Sequence, residues 1–337
     1  MTETAELTTH LLEALKQRSA FIATMNAENT DCYRLFHGSV EGFMGVTVDR
    51  YGANLLIQSF HQCLDTEQLE LIMQFYLQAL PQIKHVFSHN RSKGAKENRQ
   101  CLKGDFSCRE VTELGVKYYC DMQHSGQDPL LFLDFRHARR LIKQTAAHKS
   151  VLNTFSFSCG IGISAMAGGA EKVCNVDFAS SALAAGRQSL QLNAMDAQRC
   201  EFIQEDYFLA TRQMAGLSIP VRRGRGLKGL KRYPKQLFDL VVLDPPRWAK
   251  SKFGTVDLVR DYSSVFKPAL LATKPGGQLF CTNNVAQVDL QEWLEGIKRC
   301  CEKNNRPIAN LQLVNVGEDF PSFDNNHPLK QALITFK

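Results

Sequence analysis

Apolar and polar positions alternate along this chain in two different rhythms. Near the start, Leu11, Leu12, Leu15 and Ile22 recur at helical spacing, which predicts an amphipathic N-terminal helix within residues 1–29. Two β-rich runs in GFMGVTVDRYGANLLIQSF then flank Arg50-Tyr51-Gly52-Ala53 and predict a hairpin. Leu69, Ile72, Met73, Phe75, Tyr76 and Leu80 keep a helical period and lead into a short strand at 85–88, with a further strand near 116–120. Residues 30–120 therefore read as a small α+β domain.

From about residue 130 the rhythm changes. Apolar strands at 150–155, 172–177, 200–204, 239–243 and 277–282 alternate with helical segments at 161–168, 179–193, 207–214, 256–272 and 290–304. Such alternation predicts a doubly wound, mostly parallel α/β sheet over 121–337, because parallel neighbours need crossover connections. The segments 309–316 and 331–336 are expected to close the sheet as an antiparallel hairpin.

Composition narrows the class. A length of 337 residues favours about two domains, and 44% hydrophobic with 22% charged residues is ordinary for a soluble globular chain. Early acidic residues are unlike a secretory signal, and no apolar run approaches the ~18–20 residues of a membrane span. The 11 cysteines are scattered without a C-x-x-C pair, which argues against a disulfide framework or a metal site and for a reducing cytoplasm. A net charge of +6 permits a polyanionic partner without demanding one. Two stretches concentrate the positive charge. HNRSKGAKENRQCLKGD is a polar excursion open to nucleic acid, and Arg222 to Lys235 holds seven basic residues and no acid in a glycine-rich loop.

The chemistry gathers at strand ends. VLNTFSFSCGIGISAMAGGAEKVCNVD reads as strand, glycine-containing loop, helix and second strand ending in Asp177. That arrangement binds an adenosine-bearing cofactor, with the Asp177 carboxylate accepting from ribose hydroxyls. Gly160-Ile161-Gly162-Ile163-Ser164-Ala165 also satisfies the dinucleotide pattern G-x-G-x-x-A, so an NAD(P) oxidoreductase is a rival reading. Against it, Ser156 to Cys159 separate the strand from the first glycine, where the dinucleotide motif turns at once. Asp206, after the third strand, is placed to accept from an adenine amino group. The fourth strand ends in Asp244-Pro245-Pro246, whose prolines stiffen the turn and leave carbonyls and the Asp244 carboxylate as acceptors. Such a cluster suits methyl transfer to a planar base, an in-line displacement that depends on alignment. Trp248 is a candidate to stack on a base, and Lys250 and Lys252 to meet phosphate.

Four segments, GQDPLLFLDFRHARRLI, LNTFSFSCGIGISAMAGGAEKVCNVDFASSALAAGRQSLQLN, FDLVVLDPPRWAKSK and LFCTNN, together resemble the bacterial 23S ribosomal RNA methyltransferases of the K/L and I types. The resemblance runs from about residue 30 to the end. It implies a Rossmann-like S-adenosylmethionine (SAM) methyltransferase domain, with its terminal hairpin, preceded by the small α+β domain. It implies further that Asp134, Arg136, Phe155, Ser156, Gly160, Asp177, Phe178 and Asp206 line the SAM site, and that Asp244 faces the methyl acceptor. An arginine at 136 can pair bidentately with the methionine carboxylate.

Type I enzymes methylate cytosine C5 through a cysteine that attacks C6. This chain has Asn284 at that place, with Cys281 three residues earlier on the strand and facing away. The pair Asn283-Asn284 is instead similar to the K half of the K/L type, which methylates guanine N7, a nitrogen with its own lone pair. Asp244, Pro245, Asn283 and Asn284 are therefore the expected catalytic set, and a purine nitrogen the expected acceptor, with cytosine C5 as the alternative. The chain has no room for the N-terminal RNA-binding domain of the type I enzymes, which leaves residues 222–235 as a candidate for phosphate contact. The expected partner is ribosomal RNA or a ribosome assembly intermediate, without metal or membrane, and a homodimer is left open. A methyltransferase acting on a small molecule or a protein is the competing reading within the same fold.

Overall fold

A computed structural model describes residues 3–61, 63–92, 99–124, 126, 128–219, 231–251, 254–324 and 326–337. The expected basic loop at 222–235 therefore falls mostly outside the described residues, as does Lys252. No helix among the described residues is long and apolar enough to cross a membrane. The chain divides into two compact units, 1–136 with 317–326, and 137–316 with 327–337.

Unit 1 opens with two helices, where the sequence suggests one: α1 (Glu3–Gln17) and α2 (Ser19–Ala27). Strands β1 (Cys32–His37), β2 (Val46–Tyr51) and β3 (Asn54–Ser59) follow as an antiparallel meander. Helix α3 (Thr66–Ala79) then crosses over to β4 (His85–Asn90), parallel to β3, and β5 (Arg99–Lys103) closes the five-stranded sheet. Helix α3 begins where it does because Asp65 and Gln68 form a reciprocal capping box. One sheet face, with Val46, Val48, Leu55, Ile57 and Val86, is buried together with Leu7 and Leu11 of α1 and Ile72 and Tyr76 of α3 in one apolar cluster. A separate hairpin, β6 (Glu110–Glu113) and β7 (Val116–Tyr119), completes the strands of this unit.

The N-terminal segment is thus part of the unit 1 core rather than an appendage. The boundary also lies later than residue 120, since Tyr51 donates to the Leu131 carbonyl and Arg136 is held within unit 1.

Helix α4 (Arg136–Thr145) leads into unit 2, whose remaining elements, in chain order, are β8 (Ser150–Thr154), α5 (Gly160–Ala167), β9 (Lys172–Asp177), α6 (Ser180–Leu192), β10 (Cys200–Gln204), α7 (Tyr207–Met214), β11 (Phe238–Leu243), β12 (Trp248–Ser251), β13 (Gly254–Asp257), α8 (Tyr262–Ala272), β14 (Thr273–Asn283), α9 (Leu290–Lys303), β15 (Ile308–Leu313) and β16 (Lys330–Phe336). Seven strands form the sheet in the order β10-β9-β8-β11-β14-β16-β15, parallel through β14 and antiparallel at the last two. The winding reverses between β8 and β11, so the crevice where such sheets bind ligands opens at the carboxyl ends of those two strands.

One expected helix begins later than its pattern suggests. Strands β12 and β13 pair antiparallel, and α8 starts only at Tyr262, where the Asp261 carboxylate caps it by accepting from Ser264 N at 3.1 Å.

Candidate active site

The chain leaves β8 through a loop in which Phe155, Phe157 and Cys159 all adopt left-handed backbone, with φ of 50°, 47° and 63°. Each such non-glycine residue costs ~1–3 kcal/mol, a strain that persists only where the surroundings impose it. Asp177, at the end of β9, imposes much of it. Its carboxylate accepts from Phe157 N and from Ala179 N, both at 2.8 Å, while Ser156 N donates to the Val176 carbonyl at 3.1 Å. Burial raises the Asp177 pKa, opposed by these amide bonds. Each carboxylate oxygen keeps a further lone pair, so the group can still accept from ribose hydroxyls.

Next to it, the Phe178 ring is 70% exposed, and its carbonyl accepts from Gln204 Nε2. Glu205 N donates to the Asp177 carbonyl, which sets the end of β10 beside the end of β9. There Asp206 caps α7 by accepting from Leu209 N at 3.0 Å. A buried acceptor beside an exposed aromatic ring fits the ribose and adenine of SAM. Phe155 is half-buried, stacked on Tyr207 at 4.5 Å and packed against the core on that side. Gly160 opens α5, and Gly162 lets that helix approach the sheet, since a Cβ there would lie 2.1 Å from Asn175 Oδ1.

At the switch point, Asp244 directly follows β11. Thr282 lies level with it on β14, as the register of Leu243 with Cys281 requires, and its hydroxyl donates to Asp244 Oδ1 at 2.5 Å. Tyr262 in turn donates to the Thr282 carbonyl at 2.8 Å. Pro245 is buried and Pro246 exposed. Trp248 is 49% exposed with the Arg247 guanidinium 5.4 Å from its ring, and Arg247 also donates to Gln287 after β14. Lys250 lies on β12. Thr282 escaped the sequence reading, although strand alternation from Cys281 places it on the Asp244 side.

Two expectations are corrected. Asn283 is fully buried, and its side-chain oxygen accepts from Val285 N at 3.0 Å, so it braces the turn after β14. Only Asn284 of the pair is exposed. Arg136 is not offered to a carboxylate ligand: it is fully buried within unit 1, ion-paired with Asp319, donating to the Cys32 carbonyl, and set against the Phe21 ring. The ion pair forms because the chain returns to unit 1 at 317–326, a contact that sequence spacing does not disclose. Asp134 sits half-buried in the short turn Leu133–Phe135. Cys281, by contrast, is a core residue as its spacing suggests, and burial pushes its thiol far above the ordinary range.

Comparison with known proteins bears on this geometry. The chain matches the model of the S-adenosylmethionine-dependent methyltransferase family over residues 34–335. It is 31% identical over 295 residues to ribosomal RNA large subunit methyltransferase I of Aeromonas salmonicida, covering 86% of this chain and 70% of the relative. It is 28% identical over 270 residues to the protein of the same name from Erwinia tasmaniensis, covering 78% of this chain but only 64% of that relative's length. A solved methyltransferase structure complexed with S-adenosylhomocysteine shares the fold at a TM-score of 0.80 and 21% identity, over 99% of this chain and 82% of that one. With SAM and not a dinucleotide as the cofactor of the matching family, the chain belongs to the S-adenosylmethionine-dependent methyltransferases, alongside proteins named as large-subunit ribosomal RNA methyltransferases.

Proposed function

We propose that this protein transfers a methyl group from SAM to a base of large-subunit ribosomal RNA, at a purine ring nitrogen such as guanine N7. One observation carries the choice of chemistry. Asp244 stands half-buried at the switch point with its carboxylate oriented by Thr282, while every cysteine among the described residues of unit 2 is buried. Burial pushes the thiols of Cys174 and Cys301 up to about 12 and that of Cys200 to about 11. A thiolate that could attack cytosine C6 is therefore not provided by this unit.

SAM, when bound, supplies an electrophilic methyl group. Asp177 would hold its ribose, Phe178 would cover its adenine, and Asp206 would accept from the adenine amino group. Asp244 accepts N–H hydrogens from the base; on guanine these lie on the edge away from N7, whose lone pair stays free. Holding donor and acceptor in line is where the rate gain arises, since a ring nitrogen needs no activation. Trp248, exposed in the segment after Asp244, offers a stacking surface for the base, and Asn284 a polar contact at the rim. The RNA class rests on the names of the relatives.

Asp244→Asn and Cys281→Ala test this together. Turnover on ribosomal RNA is expected to fall about 100-fold in the first, with SAM affinity within about threefold, and to stay within about twofold in the second. Full turnover in Asp244→Asn, or loss of turnover in Cys281→Ala with its fold intact, overturns the proposal.

A further inference from the structure

The reaction uses nothing from the sheet of unit 1, yet that sheet carries a built concavity. A cavity of about 270 Å³ opens over β4 and β5. Its wall is formed by the rings of Phe87 and Phe106, 4.9 Å apart, with Met122 beside them. Its rim is polar, made by Arg99, Gln100 and Gln123. This is smaller than the ~300–1,000 Å³ of drug-sized ligand sites, and the aromatic wall with amide and guanidinium rim is the chemistry of a single planar, polar-edged ring.

The charges around it are arranged for an anion. Arg99 is half-buried and donates to the Gly126 carbonyl at 2.7 Å. Opposite it on β4 stands His89, in contact with Gln58 at 3.4 Å. Burial, then Arg99 and Arg91, depress the His89 pKa to about 4, so the imidazole is neutral. Arg91 lies 4.9 Å from the Phe60 ring. Burial lowers the pKa of both arginines, and Arg99 lowers that of Arg91 further. Asp128 and Asp121 act in the opposite sense, but burial pushes the Asp128 carboxyl up to about 7, which halves its charge near neutral pH. Two partly desolvated guanidiniums, with the charge of Arg99 further disfavouring that of Arg91, favour a phosphate nearby.

We propose that this concavity takes one unpaired nucleotide of the substrate RNA, its base against Phe106 with the Gln100 and Gln123 amides at its edge, and its phosphate at Arg99 and Arg91. The proposal rests on the RNA reading above and adds a substrate contact remote in sequence from the methyl-transfer motifs. A free nucleotide shares the same chemistry, and the test separates the two sources.

The full chain is titrated with a fluorescein-labelled single-stranded RNA 12-mer carrying 4-thiouridine, by anisotropy at several salt concentrations between 50 and 200 mM. Arg99→Gln is expected to weaken binding about tenfold and to flatten the log–log salt slope by about 0.7, one phosphate contact on a single strand. The exposed pair Gln100→Ala and Gln123→Ala weakens binding severalfold and leaves the slope unchanged. Photocrosslinks fall within residues 99–123, and SAM affinity is unchanged in both variants. Nucleoside monophosphates added at millimolar concentration leave the 12-mer bound. Wild-type affinity and slope in both variants, crosslinks only outside this segment, failure of the wild type to bind the 12-mer, or displacement of the RNA by a free nucleotide overturns the proposal. Crosslinking here without methyl transfer to ribosomal RNA sinks the proposed function and spares the site. Transfer with an unchanged KM in Arg99→Gln does the reverse.

Discussion

Replacing Asp319 with alanine removes the acid around which three arginine-bearing segments of unit 1 converge. Its carboxylate ion-pairs with Arg136 and accepts from Arg34 N at 2.9 Å, and its carbonyl accepts from Arg18 at 3.4 Å. Asp319 and Arg136 are both fully buried. In the alanine variant the Arg136 guanidinium keeps, among the described residues, the Cys32 carbonyl at 3.3 Å and the Phe21 ring, and its Nε already has no partner among them. Breaking a buried pair from one side costs ~3–5 kcal/mol, because the remaining charge stays desolvated. The lost bond from Arg34 N adds about 1 kcal/mol. Urea denaturation of unit 1, followed by near-ultraviolet circular dichroism, should therefore show the midpoint falling by more than 1 M at ordinary slopes. Substituting both partners, Arg136→Met with Asp319→Leu, should recover most of the loss, since no charge is then left buried. The double variant should still bind SAM close to the wild-type Kd by calorimetry. Near-wild-type stability in Asp319→Ala, or a hundredfold loss of SAM affinity in a stable double variant, would refute the internal role of Arg136 and restore it as a carboxylate anchor.

Two further expectations concern other buried polar groups. Burial raises the Asp128 pKa to about 7 from an unfolded value of 3.8, so the folded state binds the proton more tightly. Stability from this group is full below pH 4 and declines as pH rises toward 7, so Asp128→Asn should gain on the wild type by ~2–4 kcal/mol between pH 4 and pH 8, and a pH-independent difference would contradict this. Thr282→Val should lower kcat about tenfold or more with SAM affinity within twofold, and Thr282→Ser should restore it, because it is the hydroxyl of Thr282, not its methyl group, that donates to Asp244; equal loss in both variants would point to packing alone.

The parallel sheet and its chemistry were legible because they are local. Asp177 and Asp244 each stand at the end of an apolar strand followed by a turn, and period-two alternation on β14 separates Cys281 from the acceptor side. Asn283 misled because β14 runs one residue further than its apolar pattern, which carries that amide into the fold and leaves only Asn284 outside. The β12–β13 pair was hidden in WAKSKFGTVD, where lysines, serine and glycine mask the strand signal. Arg136 misled for a longer-range reason. Its partner is 183 residues away, on a segment held by Gly317, where a Cβ would lie 2.7 Å from the Arg136 guanidinium. No periodicity reports such a pairing. The aromatic and amide lining of the unit 1 cavity is likewise assembled from β4, β5 and the segments before β6 and after β7, each unremarkable alone.

Nucleoside mass spectrometry of 23S RNA from cells with and without the gene tests directly whether this chain methylates a base nitrogen of large-subunit ribosomal RNA. One methylated purine, such as 7-methylguanosine, should disappear from a single site and return when the wild type, but not Asp244→Asn, is supplied. Loss of 5-methylcytidine instead, or an unchanged nucleoside profile, would contradict the account.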